Sequence, residues 1–156
     1  DDQFFPAKVN LAIMLSQQGN NAEAEKLLRE VIEAEPELYD VAYSLGLLLI
    51  EMQNYNEGTT YLERASNGLP QRARIHYNLG LLYAQLQNPM AAEAKLRQAL
   101  EVEPMNLDYQ YGLADFYLKR GMFEQARTIA EIMGSTHPEN PIGGQILEFI
   151  QQSTGN

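Results

Sequence analysis

ARIHYNLGLLYAQLQNPMAAEAKLRQALEVEP, residues 73–104, is one copy of a pattern that the chain carries four times. Within it Leu79-Gly80 and then Tyr83 fall at helical spacing, and after a short break Ala92 and Leu96 do so again. The break itself, Gln87-Asn88-Pro89, reads as the end of one helix, an N-capping asparagine and a first-turn proline. Pro104 then stops the second helix, because proline supplies no backbone donor to the ladder.

Pro104 has counterparts at Pro36, Pro70 and Pro138, each 34 residues from the next. A fixed period of this size means one supersecondary unit copied and stacked. Four units follow, at residues 5–38, 39–72, 73–106 and 107–140, without an insertion. Leucine followed by a small residue recurs in all of them, as Leu11-Ala12, Leu45-Gly46, Leu79-Gly80 and Leu113-Ala114. Leu15, Leu49, Tyr83 and Tyr117 come next, then a second small residue at Ala24, Gly58, Ala92 and Ala126. The last shared position is Leu28, Leu62, Leu96 or Ala130. This is a helical hairpin in which Gly46 and Gly80 face small partners so that two backbones can cross closely. Glycine inside a helix costs about 1 kcal/mol relative to alanine, so packing must justify it. The turns are Gly19-Asn20, Gln53-Asn54, Gln87-Asn88 and Gly121, where Gly and Asn are expected to take the left-handed conformation.

The pattern resembles the tetratricopeptide repeat (TPR) family, with His76, Leu79-Gly80, Tyr83, Ala92, Leu96 and Pro104 as the best-fitting copy. The resemblance implies an all-α fold: a right-handed α-α superhelix, or TPR solenoid, of four helix-turn-helix repeats closed by a C-terminal capping helix. It covers nearly the whole chain, so residues 1–156 are expected to form a single TPR domain. The family's aromatic slot is filled here by Lys8, Ala42, His76 and Gln110. After Pro138 the pattern restarts, with Asn140-Pro141 as a helix start and Ile142, Ile146, Leu147 and Ile150 as an apolar stripe. Glu148 then stands where a small residue is due. A capping helix over about 141–151 is expected, with a frayed tail from Ser153 to Asn156. Phe4 and Phe5 are expected to pack over the open flank of the first helix.

A net charge of −10 disfavours nucleic acid and anionic membranes and mildly favours apolar or basic partners. No apolar run, Leu47 to Ile50 among them, is long enough to span a bilayer. The chain has no cysteine, which removes disulfides, thiolate metal sites and covalent haem attachment within it. The opening Asp1-Asp2 reads as the start of an excised piece of a longer protein.

In TPR proteins the first helices of successive units line the concave surface, which makes columns of equivalent residues comparable. One column is Val9, Tyr43, Tyr77 and Tyr111; a second is Ile13, Leu47, Leu81 and Asp115. A third is Asn10, Ser44, Asn78 and Gly112, and a fourth Pro6, Asp40, Arg74 and Asp108. The resemblance makes Tyr43, Tyr77, Tyr111, Leu47, Leu81, Asn78, Arg74 and Asp115 the candidate partner-binding residues. Tyrosines give large contact area at low entropic cost, although the same rings can serve to pack neighbouring units. Arg74 either clamps a ligand carboxylate or, the favoured reading, pairs with Asp40 and Asp108. Only Arg74 and Asn78 match the cationic clamp of chaperone-binding TPR proteins, so such a clamp is not expected.

Tyr111 and Asp115, one turn apart, read as a hydrogen-bonded pair on a binding surface rather than a catalytic couple. His76 and His137 lie on different elements without carboxylate companions, so neither catalytic nor metal sites nor cofactors are expected. The acidic run from Glu23 to Glu37 reads as a solvated face, with Glu25–Arg29 and Lys26–Glu30 as weak pairs. The expected function is a non-catalytic module that holds a peptide or helix of a partner protein in its groove. Two alternatives are a docking or regulatory segment of a larger bacterial enzyme or multihaem cytochrome, and a self-assembly module. The first rests on a slighter likeness of FPAKVNLA and ARIHYNLGLLYAQLQ to TPR tails of bacterial multihaem cytochromes. That likeness leaves bacterial cytoplasm and periplasm equally open.

Overall fold

The computed structural model describes residues 4–155. Its helices are Phe5–Gln17 (α1), Asn21–Ala34 (α2), Tyr39–Glu51 (α3), Tyr55–Gly68 (α4), Ala73–Gln85 (α5), Pro89–Val102 (α6), Leu107–Lys119 (α7), Phe123–Thr136 (α8) and Ile142–Thr154 (α9). There is no strand among the described residues. Each of the four periodic prolines stands two residues beyond the end of α2, α4, α6 or α8, where it terminates the hairpin.

The helices group into two compact units, one ending at Gln71 and one beginning at Arg72. That division falls beside the expected junction between the second and third repeats. In the first unit α1 packs on α2, α2 on α3 and α3 on α4. In the second, α5, α6, α7, α8 and α9 pack each against the next.

The hairpins close on their small residues. A Cβ placed on Gly46 would lie 2.8 Å from the Leu62 side chain and 3.1 Å from the Gly58 carbonyl oxygen. On Gly80 it would lie 2.7 Å from Leu96 Cγ and 3.0 Å from the Leu96 backbone nitrogen. The leucine beside each glycine is withdrawn from water, with Leu45 and Leu79 both 0% exposed. Burial of one such side chain is worth roughly 1.5–3 kcal/mol, enough to offset the helix penalty of its glycine neighbour.

Left-handed backbone occurs at Gly19 (φ 82°), Gln53 (φ 64°), Gln87 (φ 58°) and Gly121 (φ 68°). In the second and third hairpins it therefore falls on glutamine, not on the asparagine that follows. The reason lies in the helix ending. The Asn54 N–H donates to the Leu49 carbonyl (2.8 Å) and the Gln53 N–H to the Ile50 carbonyl (2.9 Å), a Schellman closure that puts Gln53 at its left-handed position. Asn88 is thereby left to cap α6, its Oδ1 accepting from the Ala91 N–H at 3.3 Å. Asn106 caps α7 in the same manner, its side-chain oxygen accepting from Tyr109 N–H, while Asn140, one residue before the Pro141 cap of α9, accepts from Ile142 N–H.

The ends of the chain depart from expectation. α9 runs through Ser153 to Thr154, whose hydroxyl donates to the Ile150 carbonyl at 2.9 Å, and Gly155 (φ 71°) closes it; of the expected frayed tail only Asn156 lies outside the described residues. Glu148 is exposed, and the close approach to α8 is made one turn earlier by Gly143, whose Cβ would meet the Ala130 carbonyl oxygen at 2.8 Å. At the other end Phe4 is 61% exposed and leaves the flank of α1 uncovered. Leu11 is 47% and Met14 55% exposed, whereas their repeat equivalents Leu113 and Phe116 are 2% and 7%.

Gly80→Ala forces a methyl group into the α5–α6 crossing and is expected to cost about 1–3 kcal/mol in urea denaturation. Gly134→Ala, where a Cβ meets nothing within 4 Å, is expected instead to add about 0.5–1 kcal/mol. Equal effects from the two substitutions would contradict the close crossing.

Candidate functional site

The expected site residues fall in both units. In the first, Tyr43 and Leu47 sit on α3, Tyr43 half-buried and Leu47 38% exposed. The first unit also has an apolar hollow of about 520 Å³ lined by Phe5, Pro6, Val9, Leu38 and Val41. In the second, Arg74, Tyr77, Asn78 and Leu81 project from α5, and Tyr111 and Asp115 from α7. α5 and α7 form one surface there, because Tyr77 bridges them.

Tyr77 is the organising residue of this surface. Its ring lies over Gly112, where a Cβ would come within 2.5 Å of Tyr77 Cε2 and 2.8 Å of its hydroxyl. It also stacks on Tyr109 of α7 with ring centroids 4.7 Å apart and planes tilted by 34°. Burial, aided by the Asp108 and Asp115 carboxylates, raises the Tyr77 phenol above its ordinary pKa. The second copy of the tyrosine column thus packs the repeats together, and Gly112 is the space that its ring requires. Tyr111 differs: it is 46% exposed.

Leu81 is 44% exposed and borders a cleft of about 400 Å³ between α5 and α7. Ala84, Leu96 and Phe116 form the apolar part of that cleft, and Asp115, Lys119 and Arg120 its charged side. Asp115 accepts an ion pair from Lys119 at 2.6 Å, which raises the Lys119 pKa. The expected Tyr111–Asp115 hydrogen bond is absent among the described residues, since Asp115 turns one helical turn onward to the lysine. Arg74 is exposed and makes no ion pair with Asp108 among the described residues, so their columnar alternation of sign does not produce a bridge.

α7 is held in place from its other side. Tyr117, 1% exposed, donates its hydroxyl to Glu93 Oε1 at 2.7 Å, and Arg97 meets the same oxygen at 3.0 Å. Burial, with the carboxylate contact second, pushes the Tyr117 phenol up to about 12, while the Tyr117 hydrogen bond holds Glu93 below the ordinary carboxylate range. The family's aromatic slot is polar in this unit. His76 is buried at 5% exposure, and Gln110, at 1%, donates to the Pro104 carbonyl at 2.8 Å and contacts the Thr136 hydroxyl at 3.2 Å. His137 Nε2 lies 2.8 Å from the Met105 carbonyl oxygen, so this ring pins a loop.

Of the expected pairs in the first unit, Glu25–Arg29 forms at 2.7 Å, and Arg29 also reaches Glu57 at 2.7 Å and stands over the Tyr61 ring. Those contacts raise the Arg29 pKa further, the Glu57 bond most. Glu30 pairs with Lys8 at 2.8 Å and not with Lys26: the lysine in the aromatic slot of α1 reaches across to α2. Among the described residues no three His, Asp or Glu side chains gather as a metal site would require. No helix among them is long and apolar enough to cross a membrane.

Stacked helical hairpins with an apolar, partly exposed first-helix face define a helical-repeat interaction module. Two family models, both described as tetratricopeptide repeat, match residues 15–86 and 77–132, and the chain belongs to the TPR family. A crystal structure of MamA protein superimposes with TM-score 0.86 at 18% identity, over 99% of this chain and 85% of that one. A second MamA structure gives TM-score 0.78 at 25% identity, with coverages of 99% and 85%. YrrB, described as a TPR protein with an unusual peptide-binding site, gives TM-score 0.77 at 17% identity, with coverages of 96% and 77%. No curated protein resembles the chain closely enough to count as a match. The fold is therefore the all-α TPR solenoid, whose members are typically non-catalytic modules that bind proteins or peptides.

Tyr117 sets a pH prediction. A phenol whose folded pKa exceeds its unfolded value contributes stability that is present below about pH 10 and is lost as pH rises toward 12. Glu93, depressed in the fold, contributes stability that is lost as pH falls below about 4.5. Tyr117→Phe is expected to cost about 1–2 kcal/mol at pH 7 and to flatten the loss above pH 10. An alkaline limb identical in both proteins, followed by thermal melting, would place the titrating group elsewhere.

Proposed function

We propose that the chain is a non-catalytic docking module whose α5–α7 surface holds an extended or helical segment of a partner protein. The observation that carries this reading is the exposure of two large apolar side chains, Leu81 at the rim of the 400 Å³ cleft and Tyr111 on α7, on helices whose other apolar side chains are buried or half-buried. Tyr77, wedged over Gly112, keeps the surface rigid before the partner arrives, which lowers the entropy lost on binding. Asn78 and Arg74 flank it with donors. Tyr43 and Leu47 provide the corresponding face of the first unit. The partner is apolar or mildly basic overall, given the net charge of −10, and is neither nucleic acid nor membrane. YrrB supports peptide binding as a use of this fold, while the residues that serve it here are read from this chain's own geometry.

The test is affinity capture with the whole protein, followed by titration of the captured partner. Leu81→Ala and Tyr111→Ala are each expected to weaken binding about 5–30-fold, as truncation of an apolar anchor does, with the melting temperature within a few degrees of the parent. Unchanged affinity for both folded variants would move the site off this face.

A second reading is favoured by α1. Its Leu11 and Met14 face water where every other repeat covers the equivalent side chains, and its single charge, Lys8, is engaged by Glu30. An uncharged apolar helix face is self-complementary, so a second copy of the chain is the occupant this reading assigns. Light scattering across a concentration series is expected to show a dimer that Leu11→Glu dissolves. A monomer at every concentration sinks self-association.

A further inference from the structure

The cleft between α5 and α7 has a polarity that opposes the charge of the chain as a whole. The domain carries −10, yet the charged side of the cleft is Asp115, Lys119 and Arg120. Asp115 and Lys119 neutralise one another at 2.6 Å. Arg120 is left as the excess charge of the lining, and the one carboxylate that feels it from behind, Glu93, is already bonded to Tyr117 and Arg97. Its guanidinium stands over the Phe116 ring at 5.6 Å, and no hydrogen bond or ion pair engages it among the described residues. Arg120 has no cationic counterpart in the other repeats, where the equivalent residues are Gln18, Met52 and Leu86.

This arrangement has a chemical consequence. A guanidinium laid on an aromatic face keeps its plane fixed while its edge N–H groups stay free, which suits bidentate capture of a carboxylate. The neighbouring floor, Leu81, Ala84, Leu96 and Phe116, offers apolar contact in a hollow of about 400 Å³, room for a side chain of leucine size. An extended segment advances about 3.3 Å per residue, so both features are reached by residues one or two apart. We infer that the partner segment seats an apolar side chain between α5 and α7 and sets a neighbouring carboxylate on Arg120.

This inference rests on the docking reading of the α5–α7 surface and sharpens it. The partner is neutral or mildly basic overall, as the long-range field of the domain favours, but carries one acidic residue beside its apolar anchor. Long-range charge governs encounter, while the local guanidinium governs register.

Three fluorescein-labelled octapeptides with a central leucine serve as probes against the full chain, read by anisotropy at low salt. They carry glutamate, glutamine or lysine two residues to either side of the leucine. The glutamate peptide is expected to bind roughly tenfold tighter than the glutamine peptide, the typical worth of one charge-assisted contact, with lysine weakest. In Arg120→Glu the order of glutamate and lysine is expected to invert, with thermal melting showing the fold intact. Equal affinity for glutamate and glutamine in the parent, or a glutamate preference that survives Arg120→Glu, overturns the carboxylate assignment and leaves the groove standing. Binding that ignores charge and is also untouched by Leu81→Ala overturns the groove reading itself, and with it this inference.

Discussion

The close crossing of two helices inside each hairpin is the constraint on which the structure depends. Gly46 against Gly58, and Gly80 against Leu96, bring backbones so near that a methyl group would strike neighbouring heavy atoms at about 3 Å or less. Only small residues permit that distance, and only that distance lets Leu45 and Leu79 be covered completely. From it follow the short Schellman turns, the proline stop after each second helix, and the regular presentation of α5 and α7. The proposed docking surface is a by-product of this stacking: what each first helix does not bury inside its hairpin, it leaves open to solvent.

A second close contact joins one hairpin to the next. Tyr77 fills the space above Gly112 and stacks on Tyr109, tying α5 to α7. The Tyr117–Glu93–Arg97 contacts brace α7 from behind. Between these supports the backbone that carries Leu81, Tyr111 and Arg120 is held in place. A surface that is already ordered spends its contacts on affinity and register instead of on its own folding.

The 34-residue proline period made the helical hairpins, their boundaries and their small-residue crossings legible in the sequence, because each copy repeats the same local physics at the same position. Where the copies differ, legibility fell. Gln53 and Gln87 took the left-handed position because the hydrogen-bonded closure of the helix end, not side-chain preference alone, decides which residue adopts it. The polar Gln110 in an aromatic slot gave no sign of the Pro104 carbonyl and Thr136 hydroxyl that satisfy it, since both partners are distant in sequence. Column alignment suggested that Arg74 meets acids of neighbouring repeats and that Tyr111 meets Asp115; a column fixes position along a surface but not where long side chains point. Arg120 lay just past the columns, and a clue existed in its being the one cation at a position otherwise filled by Gln18, Met52 and Leu86.

The central claim is that α5 and α7 form a ready-made docking face. Amide chemical-shift mapping of the isotopically labelled chain during titration with the leucine–glutamate peptide tests it most directly. The account predicts that perturbations concentrate on Asn78 to Gln85, Leu96 and Tyr111 to Arg120, with the rest of the chain unchanged. Perturbations centred on the outer helices α6 and α8, or spread over the whole second unit as a refolding signal, would contradict it.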